Sequence, residues 1–236
     1  VTLRGGYMAI RVAARCSSGR FTAVLSLVAT ACLASLAGPG IAAGPSSSLV
    51  LVLDVSGSMR GKVGGETKIL GARRVLGKLI EDLPDGRPVG LFAYGHRRAD
   101  DCTDIEQVAP LAPLDRKALR GAIEKLQPKG KTPITGALVA AIRALDGQSA
   151  GGTVVVVTDG LETCSGDPCA AVRAARAKNS GFVLHVIGLD VSKEDVSSLE
   201  CAAQAGGGLY LAAADAGELS AALSKAVVPP VQADGV

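Results

Sequence analysis

From position 49 onward, short runs rich in Val, Leu and Ile alternate with longer stretches whose apolar residues recur every three or four positions. Residues 49–55, 153–158 and 182–188 are apolar on both alternations, the pattern of strands covered on both faces. Residues 89–94 and 208–212 read as further strands, and 105–111 as a weakly marked one. A helical period marks 66–82, where Ile69, Ala72, Leu76, Leu79 and Ile80 form one stripe. The same period marks 116–126, 134–145, 168–178, 193–205 and 216–226. Pro168 near a helix start and Gly206-Gly207-Gly208 after a helix end are the expected punctuation. This alternation predicts an α/β fold: a doubly wound, mostly parallel central sheet of about six strands flanked by helices.

The segment before this pattern differs in kind. Residues 1–43 hold Arg4, Arg11, Arg15 and Arg20 and no acid, run apolar over 21–36, and break at Gly38-Pro39-Gly40 before Ile41-Ala42-Ala43. A basic end, an apolar middle and small residues at the close are the order of a secretory signal cleaved after Ala43. A retained membrane anchor competes with this reading, as does lipoprotein processing at Cys32. The short apolar core and its helix-breaking end favour cleavage. The expected organisation is a signal at 1–43, a linker at 44–48, one domain at 49–228 and a tail at 229–236. The expected location is periplasmic or extracellular, with membrane attachment only through a retained leader.

Composition narrows the function. A chain of 236 residues, 48% apolar, is too short for a large multidomain enzyme and too apolar for disorder. The formal charge of +3 comes from the leader: without its four arginines, 21 bases face 22 acids. A broad basic face for nucleic acid is therefore not expected. Outside the leader remain Cys102, Cys164, Cys169 and Cys201, an even number in an oxidising compartment, which predicts two disulfides in one of three connectivities. A zinc site is the weaker reading, because no pair has Cys-x-x-Cys spacing.

In doubly wound sheets ligands bind beyond the carboxyl ends of the strands. The first strand ends Asp54-Val55-Ser56-Gly57-Ser58, and the strand at 153 ends Thr158-Asp159-Gly160. A carboxylate at the exit of a buried strand is expensive unless paired. The nearest bases in sequence, Arg60 and Lys62, sit in a Gly-rich loop and do not point to a buried partner. Two carboxylates with nearby hydroxyls suit a hard divalent cation, which prefers oxygen. Thr132, in the loop entering the helix at 134, adds a hydroxyl. Taken singly, these residues read as strand ends, a helix cap and an Asp-Gly turn; together they point to a metal site.

Asp54-Val55-Ser56-Gly57-Ser58, Thr132 within Gly130-Lys131-Thr132-Pro133-Ile134-Thr135-Gly136, and Thr158-Asp159-Gly160 resemble the metal-ion-dependent adhesion site of the von Willebrand factor type A domain. The resemblance covers residues 49–228. Tyr94-Gly95-His96-Arg97, the stretch 101–106 and the stretch 162–169 resemble an exported bacterial branch of that family. The resemblance implies that Ser56, Ser58 and Thr132 offer hydroxyls to Mg²⁺, with Mn²⁺ or Ca²⁺ as alternatives, while Asp54 and Asp159 bind directly or through water. It implies that an Asp or Glu of a protein partner completes the coordination, in a module that is not an enzyme. The family's strand order further implies Cys102 with Cys164 and Cys169 with Cys201, with Cys164–Cys169 as the competing small loop.

His96 follows a strand on the site's side and is a candidate for touching a ligand, whereas His185 reads as a core histidine. Arg97, Arg98, Asp100 and Asp101 read as a solvated loop of opposed charges. A metal-assisted hydrolase and a structural module with a vestigial metal site are the alternative functions. Against the hydrolase stand a missing base and the absence of a Gly-x-Ser-x-Gly elbow around Ser56.

Overall fold

The computed structural model describes residues 47–148, 151–191 and 194–227. The expected leader, most of the linker and the tail lie outside the described residues. Six strands form one sheet: β1 (Ser48–Asp54), β4 (Pro88–Tyr94), β5 (Ile105–Pro113), β6 (Gly152–Thr158), β7 (Phe182–Leu189) and β8 (Tyr210–Ala213). Their spatial order is β5-β4-β1-β6-β7-β8. All neighbours run parallel except β4 and β5.

The double apolar alternation of the central strands has a direct structural meaning. Leu49, Leu51, Leu53, Val155 and Val157 face one core, with α1 (Lys68–Asp82), α2 (Arg116–Lys125) and α6 (Ala216–Val227). Val50, Val52, Val154 and Val156 face a second core, with α3 (Ile134–Arg143), α4 (Pro168–Lys178) and α5 (Ser197–Ala205). Every β1 residue is buried, as a strand between two helical layers must be.

The elements expected from periodicity are all present, with local differences. Helix α1 begins at Lys68 rather than Glu66; Glu66–Thr67 form β3 of a two-stranded hairpin with β2 (Lys62–Val63). Gly64 and Gly65 both take positive φ, 58° and 90°, the conformation a tight two-residue hairpin turn requires. Helix α5 starts at Ser197 rather than 193. Strand β5 is antiparallel to β4, is half exposed, carries register shifts and contains Pro110 and Pro113. Proline is tolerated at a sheet edge because no outer neighbour needs its missing N–H, and this makes the strand faint in the sequence.

Cys102 pairs with Cys164 and Cys169 with Cys201, at Cα separations of 5.6 and 5.3 Å. The second bridge ties α4 to α5. The first joins the loop after β4 to the loop after β6. Among the described residues no helix is long and apolar enough to cross a membrane.

At the opposite end of the sheet the buried Arg87 holds both borders of the described domain. Its Nε donates to the Ser47 carbonyl at 3.0 Å and its Nη1 to the Val227 carbonyl at 3.3 Å. Arg87→Ala would leave both carbonyls without this donor, and urea unfolding should show a loss of about 2 kcal/mol.

Candidate functional site

The strand order reverses about the central pair, β4 and β1 to one side and β6 and β7 to the other, which opens a crevice at the carboxyl ends of β1 and β6. Asp54 ends β1 fully buried, and Asp159 follows β6, also buried. One turn of 3₁₀ helix, Gly57–Arg60, follows directly and turns Ser58 back toward Ser56. Their hydroxyls lie 3.0 Å apart.

A chain of short hydrogen bonds links the group. The Ser56 N–H donates to Asp54 Oδ1 at 2.7 Å, and the Thr158 hydroxyl donates to Asp54 Oδ2 at 2.7 Å. The Ser58 hydroxyl donates to Asp159 Oδ1 at 2.6 Å. Ser56, Ser58 and Thr132 line one shallow depression, together with Gly57, Gly130, Lys131 and Thr163. All five residues singled out in the sequence thus lie at one end of the sheet.

Backbone contacts between loops fix this arrangement. Gly57 N–H donates to the Gly130 carbonyl at 2.9 Å, and Gly130 N–H to the Gly95 carbonyl at 2.8 Å. Gly95 has φ +68°, and a Cβ there would lie 2.5 Å from the Lys131 carbonyl oxygen and 2.9 Å from Ser56 Cα. Only glycine permits such an approach in that conformation. The loop after β6 holds Thr132 from the other side: the Thr132 N–H donates to the Thr163 hydroxyl at 2.8 Å and the Thr163 N–H to the Thr132 carbonyl at 3.2 Å.

Glu162, which the motif alone does not single out, braces that loop. Its carboxylate accepts the Thr135 N–H at the start of α3 at 2.8 Å and the Cys164 N–H at 2.7 Å. An acid at a helix N-terminus is favoured by the exposed N–H groups there.

The electrostatics are dominated by burial. Burial, reinforced by the charge of Asp159, raises the Asp54 pKa to about 6, against the opposing hydrogen bonds from Ser56 and Thr158. Tyr94, fully buried, is pushed well above its usual range by burial and then by Asp54, and its hydroxyl has no hydrogen-bond partner.

Asp159 Oδ2 is buried and its partner is the Lys68 ammonium, with Nζ 3.1 Å away. Arg60 and Lys62, the bases nearest Asp54 in sequence, are not this partner. Arg60 instead binds the Pro128 carbonyl through Nε and Nη2, at 3.0 and 2.6 Å. The signal for Lys68 was its place at the head of the buried stripe of α1, next to Ile69.

His96 is held away from solvent, its Nε2 2.8 Å from Glu106 Oε2. The following loop is not simply solvated: Asp104, fully buried, accepts the N–H groups of Arg97 and Arg98 at 2.8 and 3.0 Å and Arg97 Nε at 2.7 Å. Burial raises the Asp104 pKa, but these donors outweigh it and the net shift is downward. Arg98 pairs with Asp101 at 2.7 Å. His185 is half-buried on β7, its Nδ1 accepting the Leu209 N–H at 3.2 Å, and burial lowers its pKa.

The raised pKa of Asp54 gives a signed expectation for the metal-free protein. Folding favours the protonated form, so this group's contribution to stability is complete below the unfolded value of 3.8 and lost as pH rises through about 6. Asp54→Asn should therefore gain melting temperature relative to wild type at pH 7.5 in EDTA, and little or none at pH 4. Equal differences at the two pH values would contradict the assignment.

A family profile described as von Willebrand factor type A domain matches residues 49–162. An uncharacterised Bacillus subtilis (strain 168) protein, YwmD, is 33% identical over 202 residues, covering 81% of this chain and 90% of that protein. Among solved structures, the PilB minor pilin from Streptococcus sanguinis aligns with a TM-score of 0.62 at 17% identity, over 78% of this chain and 61% of its own. Proximal thread matrix protein 1 from the mussel byssus, in a structure described as having a zinc-occupied MIDAS motif, aligns with a TM-score of 0.61 at 16% identity, over 77% and 44%. At those identities the structural matches speak for the fold. With the profile spanning β1 through β6 and the six-stranded, mostly parallel sheet flanked by helices, the chain belongs to the von Willebrand factor type A domain family.

Proposed function

We propose that this domain is an exported, non-enzymatic binding module that holds a divalent cation and uses it to grip a carboxylate on a protein partner. The observation that carries the reading is the clustering of two buried carboxylates, Asp54 and Asp159, with the Ser56, Ser58 and Thr132 hydroxyls at one rim of the sheet, where a single ammonium, that of Lys68, faces the pair. Two adjacent buried acids are costly to charge, the one ammonium of Lys68 does not balance both, and an oxygen-only donor set suits a hard cation. The residues present therefore fit such an ion.

Asp54 and Asp159 would hold the cation directly or through water, and Ser56, Ser58 and Thr132 would offer neutral hydroxyls. Mg²⁺ is the proposed ion, with Mn²⁺ or Ca²⁺ as alternatives. When bound, the cation supplies a positive, Lewis-acidic point to which an outside Asp or Glu can attach. The hydroxyls contribute no charge, so the two carboxylates do no more than neutralise a dication. Thr163, Glu162 and the Cys102–Cys164 bridge keep the Thr132 loop in place beside that point.

Export is supported by the two disulfides, which persist in oxidising compartments, and by likeness to a pilin. The leader at 1–43 is the proposed route.

Saturating Mg²⁺ should raise the melting temperature of the wild type by about 5–10 °C, the size expected for ligand near a hundred times its Kd on a domain of this length. Asp54→Ala and Asp159→Ala should each remove that increment while remaining folded. An affinity pull-down from envelope extract should recover a partner in Mg²⁺ and release it in EDTA. Mg²⁺ stabilisation that persists in both variants would defeat the metal site; capture indifferent to EDTA would defeat the metal-dependent grip.

A further inference from the structure

The start of α1 runs against a local rule. The N-terminal end of a helix is electrically positive and favours acids, yet its first residue is Lys68, no acid lies in the first turn, and Thr67 provides no side-chain cap. The Lys68 side chain is only 11% exposed. A buried ammonium placed where its own helix repels it must be held by tertiary partners.

Two carboxylates supply the hold. Lys68 Nζ lies 3.1 Å from Asp159 Oδ2 and 3.1 Å from Asp190 Oδ2. The two partners are unequal: the Asp159 side chain is fully buried, whereas that of Asp190 is 42% exposed. Asp190 follows the last residue of β7 with φ 57°, a left-handed conformation uncommon outside glycine that Asp tolerates better than most. Its N–H donates to the Ala213 carbonyl at 2.8 Å, which ties this turn to the end of β8. The chain thus sets a second acid against Lys68 from the turn after β7.

We propose, building on the metal-site reading above, that Lys68 is the resident cation of this site: it neutralises and orients Asp159 in the metal-free domain and competes with a divalent cation for the same carboxylate. Asp190 makes the competition reversible. It keeps the ammonium paired when Asp159 is engaged by a metal, so Lys68 need not be expelled or left buried without a partner. The arrangement trades affinity for metal against stability of the metal-free fold. Two like charges sharing one poorly solvated carboxylate repel each other strongly, because little water lies between them. A plain helix anchor would stabilise α1 and leave metal affinity untouched.

Isothermal titration with Mg²⁺, together with thermal unfolding in EDTA and in saturating Mg²⁺, separates these roles. Lys68→Gln should melt several degrees lower than wild type in EDTA, bind Mg²⁺ about tenfold tighter or more, and recover most of its lost melting temperature once Mg²⁺ is saturating. Lys68→Met, which keeps the apolar stem, should show the same tightening. Lys68→Arg, which keeps the charge, should retain the wild-type Kd. A neutral variant that folds only in Mg²⁺ would support the proposal. Unchanged Kd in both neutral variants, or a loss of melting temperature that saturating Mg²⁺ does not reduce, would overturn it. Where wild type binds and the neutral variants bind equally well, only this inference falls; where neither wild type nor variants bind Mg²⁺, the metal site falls with it.

Discussion

Two carboxylates at the exits of neighbouring buried strands are the constraint around which this molecule is arranged. Asp54 is fully buried at the end of β1, and Asp159 is buried just past β6, the strand paired with it. Neither can be solvated like a surface acid, and burial together with the charge of Asp159 raises the cost of charging Asp54. The chain answers with hydrogen bonds from the Ser56 N–H, the Thr158 hydroxyl and the Ser58 hydroxyl, and with the ammonium of Lys68. These do not fully offset burial at Asp54, whose pKa stays near 6.

The fold supplies that constraint through its layers. Strands covered on both faces need a nearly continuous apolar sequence, so the first polar residues along them appear where the sheet stops. Asp54 and Thr158 come at those stops, and the parallel pairing of β1 with β6 brings the two stops side by side. Loops from different parts of the chain then close over the rim through backbone contacts. Gly95 and Gly130 allow main chains to approach where a Cβ would collide with carbonyl oxygens. The Cys102–Cys164 bridge spans two of these loops. The frame is therefore covalent and backbone-built, while the charges inside it are left to side chains.

A second polar network borders the first without sharing its balance of charge. Asp104, buried and satisfied by Arg97 and by two backbone N–H groups, stays ionised below the usual carboxylate range. His96 is joined to Glu106 beside it. The contrast with Asp54 is instructive: both acids have no exposed surface, but one faces a guanidinium and the other faces a second carboxylate. Burial pushes both upward; at Asp104 the guanidinium and the two N–H groups together outweigh it, whereas at Asp54 the hydrogen bonds do not and the second carboxylate adds to it.

The sequence alone determined the layered α/β architecture, because apolar runs on both alternations leave β1, β6 and β7 no stable place except between helices. It also exposed the oxygen-bearing residues at strand ends, since polar residues interrupting such runs stand out and their order matches a known family. The hairpin at 62–67 escaped the periodic reading because two residues per strand are too few to establish an alternation. Lys68 and Asp190 were settled only by tertiary structure. Periodicity encodes which face of an element is buried, not which distant charge will meet it there, and the meeting of α1, the end of β6 and the turn after β7 depends on how the sheet orders its strands. The two disulfides lie between these cases: four cysteines in an oxidising compartment predict two bridges, but only the placement of the loops selects the pairs, because sulfur atoms join what the fold has already brought close.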